Sequence, residues 1–133
     1  MTYDEFVNQV QSKAELATGG EAFAAIRATL TVLADRLHRG EARDLESQLP
    51  SELQQIIEQA RTSQVFGLDE FFRRVAEEEG VDIPQATQHA RAVISVLREA
   101  VTPGEFEDIR AQLPDEYDRL MEGTAEGKMR AIH

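Results

Sequence analysis

The sequence predicts an all-α protein, an internally duplicated helical bundle in which two similar four-helix halves pack on one core. Apolar residues recur with helical spacing along most of the chain. The stretch GEARDLESQLPSEL, residues 40–53, recurs 64 positions later as GEFEDIRAQLPDEY, residues 104–117. The flanking segments align as well. We therefore place the repeats at about residues 2–62 and 67–122 of a single domain, residues 1–133.

The first helix of each half begins with similar sequences, TYDEFVNQV and GLDEFFRRV. We predict it over residues 3–15 and 68–79. Thr2 and Glu5 have the spacing of a capping box, in which each side chain accepts a hydrogen bond from the other residue's backbone N–H. Gly19-Gly20 and residues 80–84 are expected to form the turns that follow, because glycine and proline interrupt helices.

The second helix of each half is the longest, and we expect these two helices to form the centre of the core. The first is predicted over residues 21–39. The apolar stripes on the two helices consist of Ile26, Leu30, Leu33 and Leu37, and of Ala90, Ile94, Leu97 and Val101. Gly40 and Gly104 follow, and we expect each to end its helix in the left-handed conformation.

The repeated stretch predicts a short helix, a sharp corner and a fourth helix. Pro50 and Pro114 push the preceding residue out of the helical region and are suited to open the next helix. Gln48 and Gln112 lie beside the two corners. Two interpretations remain for these glutamines. We favour the one in which their side chains satisfy backbone groups that the helix break leaves free; in the other, they contact a ligand.

Charged residues also recur at equivalent positions. Arg27 and Arg91 lie on the two long helices, and Asp44 and Asp108 lie on the two short ones. We predict that each arginine pairs with an acidic residue of its own half, the aspartate being favoured, because a guanidinium group fits a carboxylate in bidentate geometry. The alternative is that both arginines line a central cleft and bind a small anion.

Composition excludes several functional classes. The chain has 25 acidic and 14 basic residues, and a net charge of −11 disfavours binding to nucleic acid. It has no cysteine, which excludes disulfides and thiolate metal sites. No stretch approaches the roughly 20 apolar residues of a membrane helix, and MTYDEF lacks the pattern of a signal peptide. We therefore expect a cytoplasmic protein that does not bind membranes.

The sequence lacks the familiar motifs of catalytic, phosphate-binding and zinc-binding sites. His38, His89 and His133 lack the spacing of a zinc helix, and there is no phosphate-binding loop or nucleophile elbow. We expect His38 against a helix C-terminus, His89 on an exposed helix face, and the run of residues 77–79 on a solvated face. We expect no metal, no cofactor and no enzymatic activity.

A family resemblance is carried by three runs and their counterparts in the second half. The runs are DEFVNQV, RATLTVLADRL and GEARDLESQLP, and the counterparts are DEFFRRV, RAVISVLREAV and GEFEDIRAQLP. Together they resemble the bacterial and archaeal family called domain of unknown function 2267, over residues 3–121. The resemblance implies a small, acidic, duplicated helical protein without an assigned activity, and it supplies no catalytic or binding residues.

Two hypotheses about function follow from the sequence. The leading one is a non-enzymatic helical protein-interaction or scaffold module that acts with a protein partner or as a homodimer. The alternative is a small-molecule or anion-binding sensor or carrier with a pocket between the two halves, in which Arg27 and Arg91 meet the anion. Residues 123–133 have weak periodicity, and we expect either a disordered tail or a short docking helix.

Overall fold

A computed structural model describes residues 1–122 of the chain. Within this range the chain forms eight α-helices and one 3-10 turn, and no β-strand. The helices are α1 (Tyr3–Lys13), α2 (Gly19–Arg36), α3 (Arg39–Ser47), α4 (Ser51–Glu58), α5 (Leu68–Glu79), α6 (Ile83–Ala100), α7 (Pro103–Ala111) and α8 (Asp118–Met121), and the 3-10 turn is Asp115–Tyr117. The predicted all-α class is confirmed. The tail predicted from residue 123 lies outside the described residues.

Helices α2 and α6 form the centre of the core. The two helices contact each other. In addition, α1 of the first half contacts α6, and α5 of the second half contacts α2. Each long helix is therefore flanked by helices from both parts of the chain. All eight residues of the two predicted apolar stripes are buried, which confirms that part of the prediction. One hydrophobic cluster contains residues of every helix, so the elements share a single apolar interior.

Capping boxes begin the first two helices. Thr2 and Glu5 form the predicted box, with backbone-to-side-chain distances of 2.9 and 3.1 Å. Thr18 and Glu21 form a second box, which starts α2 at Gly19. The prediction of a turn at Gly19-Gly20 is therefore wrong, because two reciprocal hydrogen bonds at the helix start stabilise these glycines in the first helical turn.

Gly40 and Gly104 do not end helices, and that prediction is wrong. They lie in the first turns of α3 and α7, and neither has a positive φ. Leu37 and Val101 end the preceding helices instead, with extended backbone at ψ 153° and 169°. An extended residue redirects the chain without the left-handed conformation. Within residues 1–122, the glycine that adopts that conformation is Gly80, with φ 79°, which ends α5 where a turn was expected.

The link between the first four and the last four helices is held by specific hydrogen bonds. Phe66 is buried, and its carbonyl accepts hydrogen bonds from the Tyr117 hydroxyl at 2.7 Å and from Arg36 Nε at 2.9 Å. Tyr117 is fully buried and comes from the 3-10 turn near the end of the described chain. These bonds fix the 3-10 turn and the end of α2 to the link.

Candidate carboxylate site between α3 and α7

The short helices α3 and α7 contact each other, and the first turn of each carries a glutamate. His38 caps α3 with its Nδ1, which accepts from the Glu41 backbone N–H at 3.2 Å. Thr102 caps α7 in the same way, and its hydroxyl accepts from the Glu105 N–H at 3.2 Å. Both glutamates therefore occupy the third helical position, where a negative charge is favourable to the helix dipole.

The predicted glutamines Gln48 and Gln112 connect the two short helices. The Gln48 side-chain oxygen accepts from the Thr102 backbone N–H at 2.8 Å, and the Gln112 oxygen accepts from the His38 N–H at 3.3 Å. Each glutamine thus binds the start of the other short helix, 54 and 74 residues away in sequence. Pro50 and Pro114 each precede their next element as its N-cap residue.

Three carboxylates meet at this junction. Glu41 and Glu105 are 7% and 6% exposed, and Asp108, on the next turn of α7, is exposed. One carboxylate oxygen from each of the three lies within 4.8 Å of the others. Gln112 Nε2 donates to Glu41 Oε1 at 3.1 Å. Glu41 Oε2 and Glu105 Oε2 are buried and have no hydrogen-bond partner among the described residues.

Burial is the largest influence on the ionisation of Glu105. Burial and the adjoining Glu41 carboxyl raise the pKa of Glu105 from 4.5 to about 8, and the charges of Asp44 and Asp108 act in the same direction. The pair therefore releases its last proton at a higher pH than two exposed carboxylates would. A proton, a cation or a donor from another molecule can stabilise such a pair.

The predicted ion pairs of Arg27 with Asp44 and of Arg91 with Asp108 do not form within residues 1–122. The two aspartates act on Glu105 at the junction of the short helices. Arg27 is exposed and lines a groove of about 180 Å³ beside Glu78, on the α4 and α5 side of α2. Arg27 therefore lies in a groove that contains neither aspartate.

Arg91 is half-buried, and its Nε is buried without a hydrogen-bond partner among the described residues. The groove beside Arg27 is bounded by Thr31, Ile56, Gln59 and Glu78. The arginines therefore do not share this groove, and the structure gives no support to a common anion site built from both of them.

The histidines also differ from expectation. His89 is only 7% exposed, and its Nδ1 lies 2.6 Å from Glu79 Oε2. Burial raises the pKa of Glu79, and the His89 contact opposes that change. The exposed face predicted for His89 and the solvated position predicted for Glu79 are wrong. The sequence contained the signal, because Phe71, Val75 and Glu79 are four residues apart and share one helix face.

His38 begins α3 instead of lying at a helix C-terminus, which corrects the prediction for it. Glu41 and Glu105 each lie in the first turn of a helix, which is an ordinary position for an acidic residue, so the sequence analysis does not single them out. The available signal was their recurrence 64 positions apart inside the repeated stretch. Their meeting depends on the packing of α3 on α7, which local sequence patterns do not specify.

Comparison with known proteins establishes the family. The family DUF2267, described as an uncharacterized conserved protein, matches residues 3–120. The chain belongs to this family. The resemblance inferred from the sequence is thereby confirmed, and because the family is uncharacterised the membership assigns no activity. No curated protein matches the chain. Among the described residues, no helix combines the length and apolar character that crossing a membrane requires.

Proposed function

We propose that this DUF2267 protein is a non-enzymatic helical interaction module that binds a protein partner in the groove between α3 and α4. The groove has a volume of about 520 Å³. Its floor includes the apolar side chains of Ala42 and Ile57, and its rim carries charges of both signs. An apolar floor with a polar rim resembles the anatomy of protein interfaces. The groove is lined by Arg39, Ala42, Arg43, Glu46, Ser47, Gln54, Ile57, Glu58, Ala60 and Thr62.

We further propose that the chain consists of two copies of one four-helix unit in a single domain, residues 1–133. The sequence pattern recurs at an offset of 64 or 65 residues. Helices α1, α2 and α3 have 11, 18 and 9 residues, and α5, α6 and α7 have 12, 18 and 9. Corresponding positions in the two copies can then be compared, and a difference in charge between them indicates a surface that binds a partner in one copy only.

The observation that carries the interaction proposal is a reversal of charge between corresponding positions. On α7, Arg110 Nη2 lies 2.9 Å from Asp118 Oδ1 and 3.9 Å from Glu122 Oε2. The position 64 residues before Arg110 is Glu46, and the position 64 residues before Glu122 is Glu58. A basic residue that holds two acidic residues in the second copy is therefore replaced by an acidic residue in the first.

Glu46 and Glu58 consequently form a like-charge pair at the groove. Partial burial and then the Glu58 carboxyl raise the pKa of Glu46, while Arg43 acts in the opposite direction. A lysine or arginine side chain from a partner would compensate this pair as Arg110 compensates Asp118 within the chain. We therefore infer that the partner inserts a basic side chain into the groove.

The alternative function, a small-molecule or anion sensor with a pocket between the halves, has weaker support. The contact between α3 and α7 presents the carboxylates of Glu41, Glu105 and Asp108, which repel an anion. We therefore place the interaction surface in the groove of the first copy. The proposal that the protein is not an enzyme rests on the sequence, which has no cysteine and none of the catalytic motifs considered above.

Photo-cross-linking from the groove tests the interaction proposal. A photo-reactive amino acid replaces the exposed residue Ser47, and the matched control replaces Ala111, the exposed residue 64 positions later. The full chain is expressed in its native cells, and cross-linked peptides are identified by mass spectrometry. We expect Ser47 to cross-link to a peptide that contains lysine or arginine, from another protein or from a second copy. We expect the substitution Glu46→Arg to abolish that product.

The substitution Glu46→Arg supplies a basic residue from within the chain, so it removes the need for a partner without exposing apolar surface. Products that are the same from Ser47 and Ala111, or that persist in the Glu46→Arg variant, would contradict a partner in this groove. A strictly monomeric protein on size-exclusion chromatography that also yields no cross-link would contradict the interaction module as a whole.

A further inference from the structure

We propose that Glu41, Glu105 and Asp108 bind one hard divalent cation of the Ca²⁺, Mg²⁺ or Mn²⁺ class at the junction of α3 and α7. One carboxylate oxygen from each residue lies within 4.8 Å of the other two. An ion about 2.3–2.6 Å from each of three oxygens, the range for Ca²⁺, holds them about 4.0–4.5 Å apart, so carboxylates spaced within 4.8 Å share one ion after at most a small side-chain adjustment. Carboxylate oxygens are the ligands that this class of ions prefers.

Two buried atoms point to a ligand independently of that spacing. Glu41 Oε2 and Glu105 Oε2 have no hydrogen-bond partner in the described part of the chain, and both residues are more than nine-tenths buried. Leaving a charged oxygen buried and unpaired is costly. A shared proton neutralises one charge of the cluster, whereas a divalent cation neutralises two. A divalent cation therefore compensates more of the negative charge of the cluster than a proton does.

The surrounding groups hold Glu41 in place. Gln112 Nε2 donates to Glu41 Oε1 at 3.1 Å. Hydrogen bonds of this kind orient carboxylate ligands and are a regular feature of metal sites. His38 and Thr102 fix the backbone at the two glutamates by capping the helices. The acidic pair is therefore positioned before an ion binds.

Asp108 gives the site access to solvent, because it is exposed while Glu41 and Glu105 are buried. Water can complete the coordination on that side, as Mg²⁺ in particular requires. The N-terminal ends of α3 and α7 oppose a cation through their dipoles. We therefore expect a dissociation constant of about 10⁻⁵–10⁻³ M.

Isothermal titration calorimetry tests the site directly. The full chain is freed of metal with EDTA, exchanged into buffer at pH 8.5, and titrated separately with Ca²⁺, Mg²⁺ and Mn²⁺. We expect saturable binding of one ion by at least one of the three. At pH 6 we expect affinity to fall at least tenfold, because protons compete for the carboxylates.

Three variants locate the ion. Asp108→Asn removes a ligand at an exposed position, so it leaves the fold intact, and we expect it to weaken binding at least tenfold. Glu105→Gln removes a buried ligand, and we expect it to abolish binding. Glu107→Gln is the matched control, since Glu107 is exposed on α7 and outside the cluster, and we expect wild-type affinity.

The proposal is overturned by either of two results. One is the absence of saturable heat with all three ions at concentrations up to about 10 mM, well above the expected dissociation constant. The other is binding that Asp108→Asn leaves unchanged, because the ion then lies at other carboxylates. Since Asp108 is exposed, this second test does not depend on whether the Glu105→Gln variant folds.

Discussion

The ionisation of Glu105 makes the stability of the cation-free protein depend on pH. The pKa of Glu105 is raised to about 8 in the folded protein by burial and by Glu41, whereas its ordinary value is 4.5. Between these values the folded state binds more protons than the unfolded state. The stability that this group contributes is therefore fully present below pH 4.5 and is lost as pH rises through 8.

The size of the effect follows from the pKa difference. Each pKa unit corresponds to about 1.4 kcal/mol, so a rise from 4.5 to about 8 corresponds to at most about 5 kcal/mol between pH 4.5 and pH 9. This value is a large part of the roughly 5–15 kcal/mol that stabilises an ordinary domain. We expect the wild-type protein in EDTA to lose free energy of unfolding steadily across this range.

The variant Glu105→Gln tests this reasoning. Its amide does not ionise and can donate a hydrogen bond to the Glu41 carboxylate. We expect the variant to be more stable than the wild type at pH 9, and to differ little from it at pH 5. Urea denaturation followed by circular dichroism at several pH values, in EDTA, measures both free energies.

The control for this experiment is Glu107→Gln, which removes one exposed negative charge from the same helix. It reports the effect of net charge alone, because Glu107 is outside the buried cluster. The free energy of unfolding is plotted against pH for Glu105→Gln and for the wild type. If the two plots remain parallel from pH 5 to pH 9, the buried, proton-retaining pair is refuted.

Three further predictions concern individual contacts and are measured by urea denaturation at pH 7. Gln112→Ala removes hydrogen bonds to the His38 backbone and to Glu41, and we expect a loss of about 2 kcal/mol, whereas Gln48→Ala removes one bond and is expected to cost about 1 kcal/mol; equal losses would contradict this. Tyr117→Phe is expected to cost about 1 kcal/mol, because the Phe66 carbonyl loses one of its two donors; no loss would contradict that contact. Arg110→Glu is expected to destabilise the protein by up to about 1 kcal/mol. An unchanged midpoint of urea denaturation would show that the ion pairs of Arg110 with Asp118 and Glu122 contribute nothing to stability.

The features that depend on local sequence were predictable. Helical periodicity identified the buried stripes of the two long helices, and the spacing of Thr2 and Glu5 identified a capping box. Gly40 was misjudged because glycine is common after helices, whereas the end of α2 is made by the extended residue Leu37. Local patterns did not distinguish a glycine that ends one helix from a glycine that lies in the first turn of the next.

The features that depend on packing between distant helices were missed. Glu41 and Glu105 have ordinary positions at helix starts, and only the approach of α3 to α7 makes them a buried pair. His89 and Glu79 pair because α5 packs on α6. The expected pairs of Arg27 and Arg91 failed for the same reason, since equivalent sequence positions do not indicate which side chains will face each other.

The most direct test of the account is to locate an ion between the two short helices. A crystal of the full chain at pH 8.5, soaked in Mn²⁺, gives an anomalous difference map that shows where the metal binds. We predict a peak within about 2.6 Å of carboxylate oxygens of Glu41, Glu105 and Asp108. A map with no peak at these three residues, whether or not peaks lie at other carboxylates, would contradict the account.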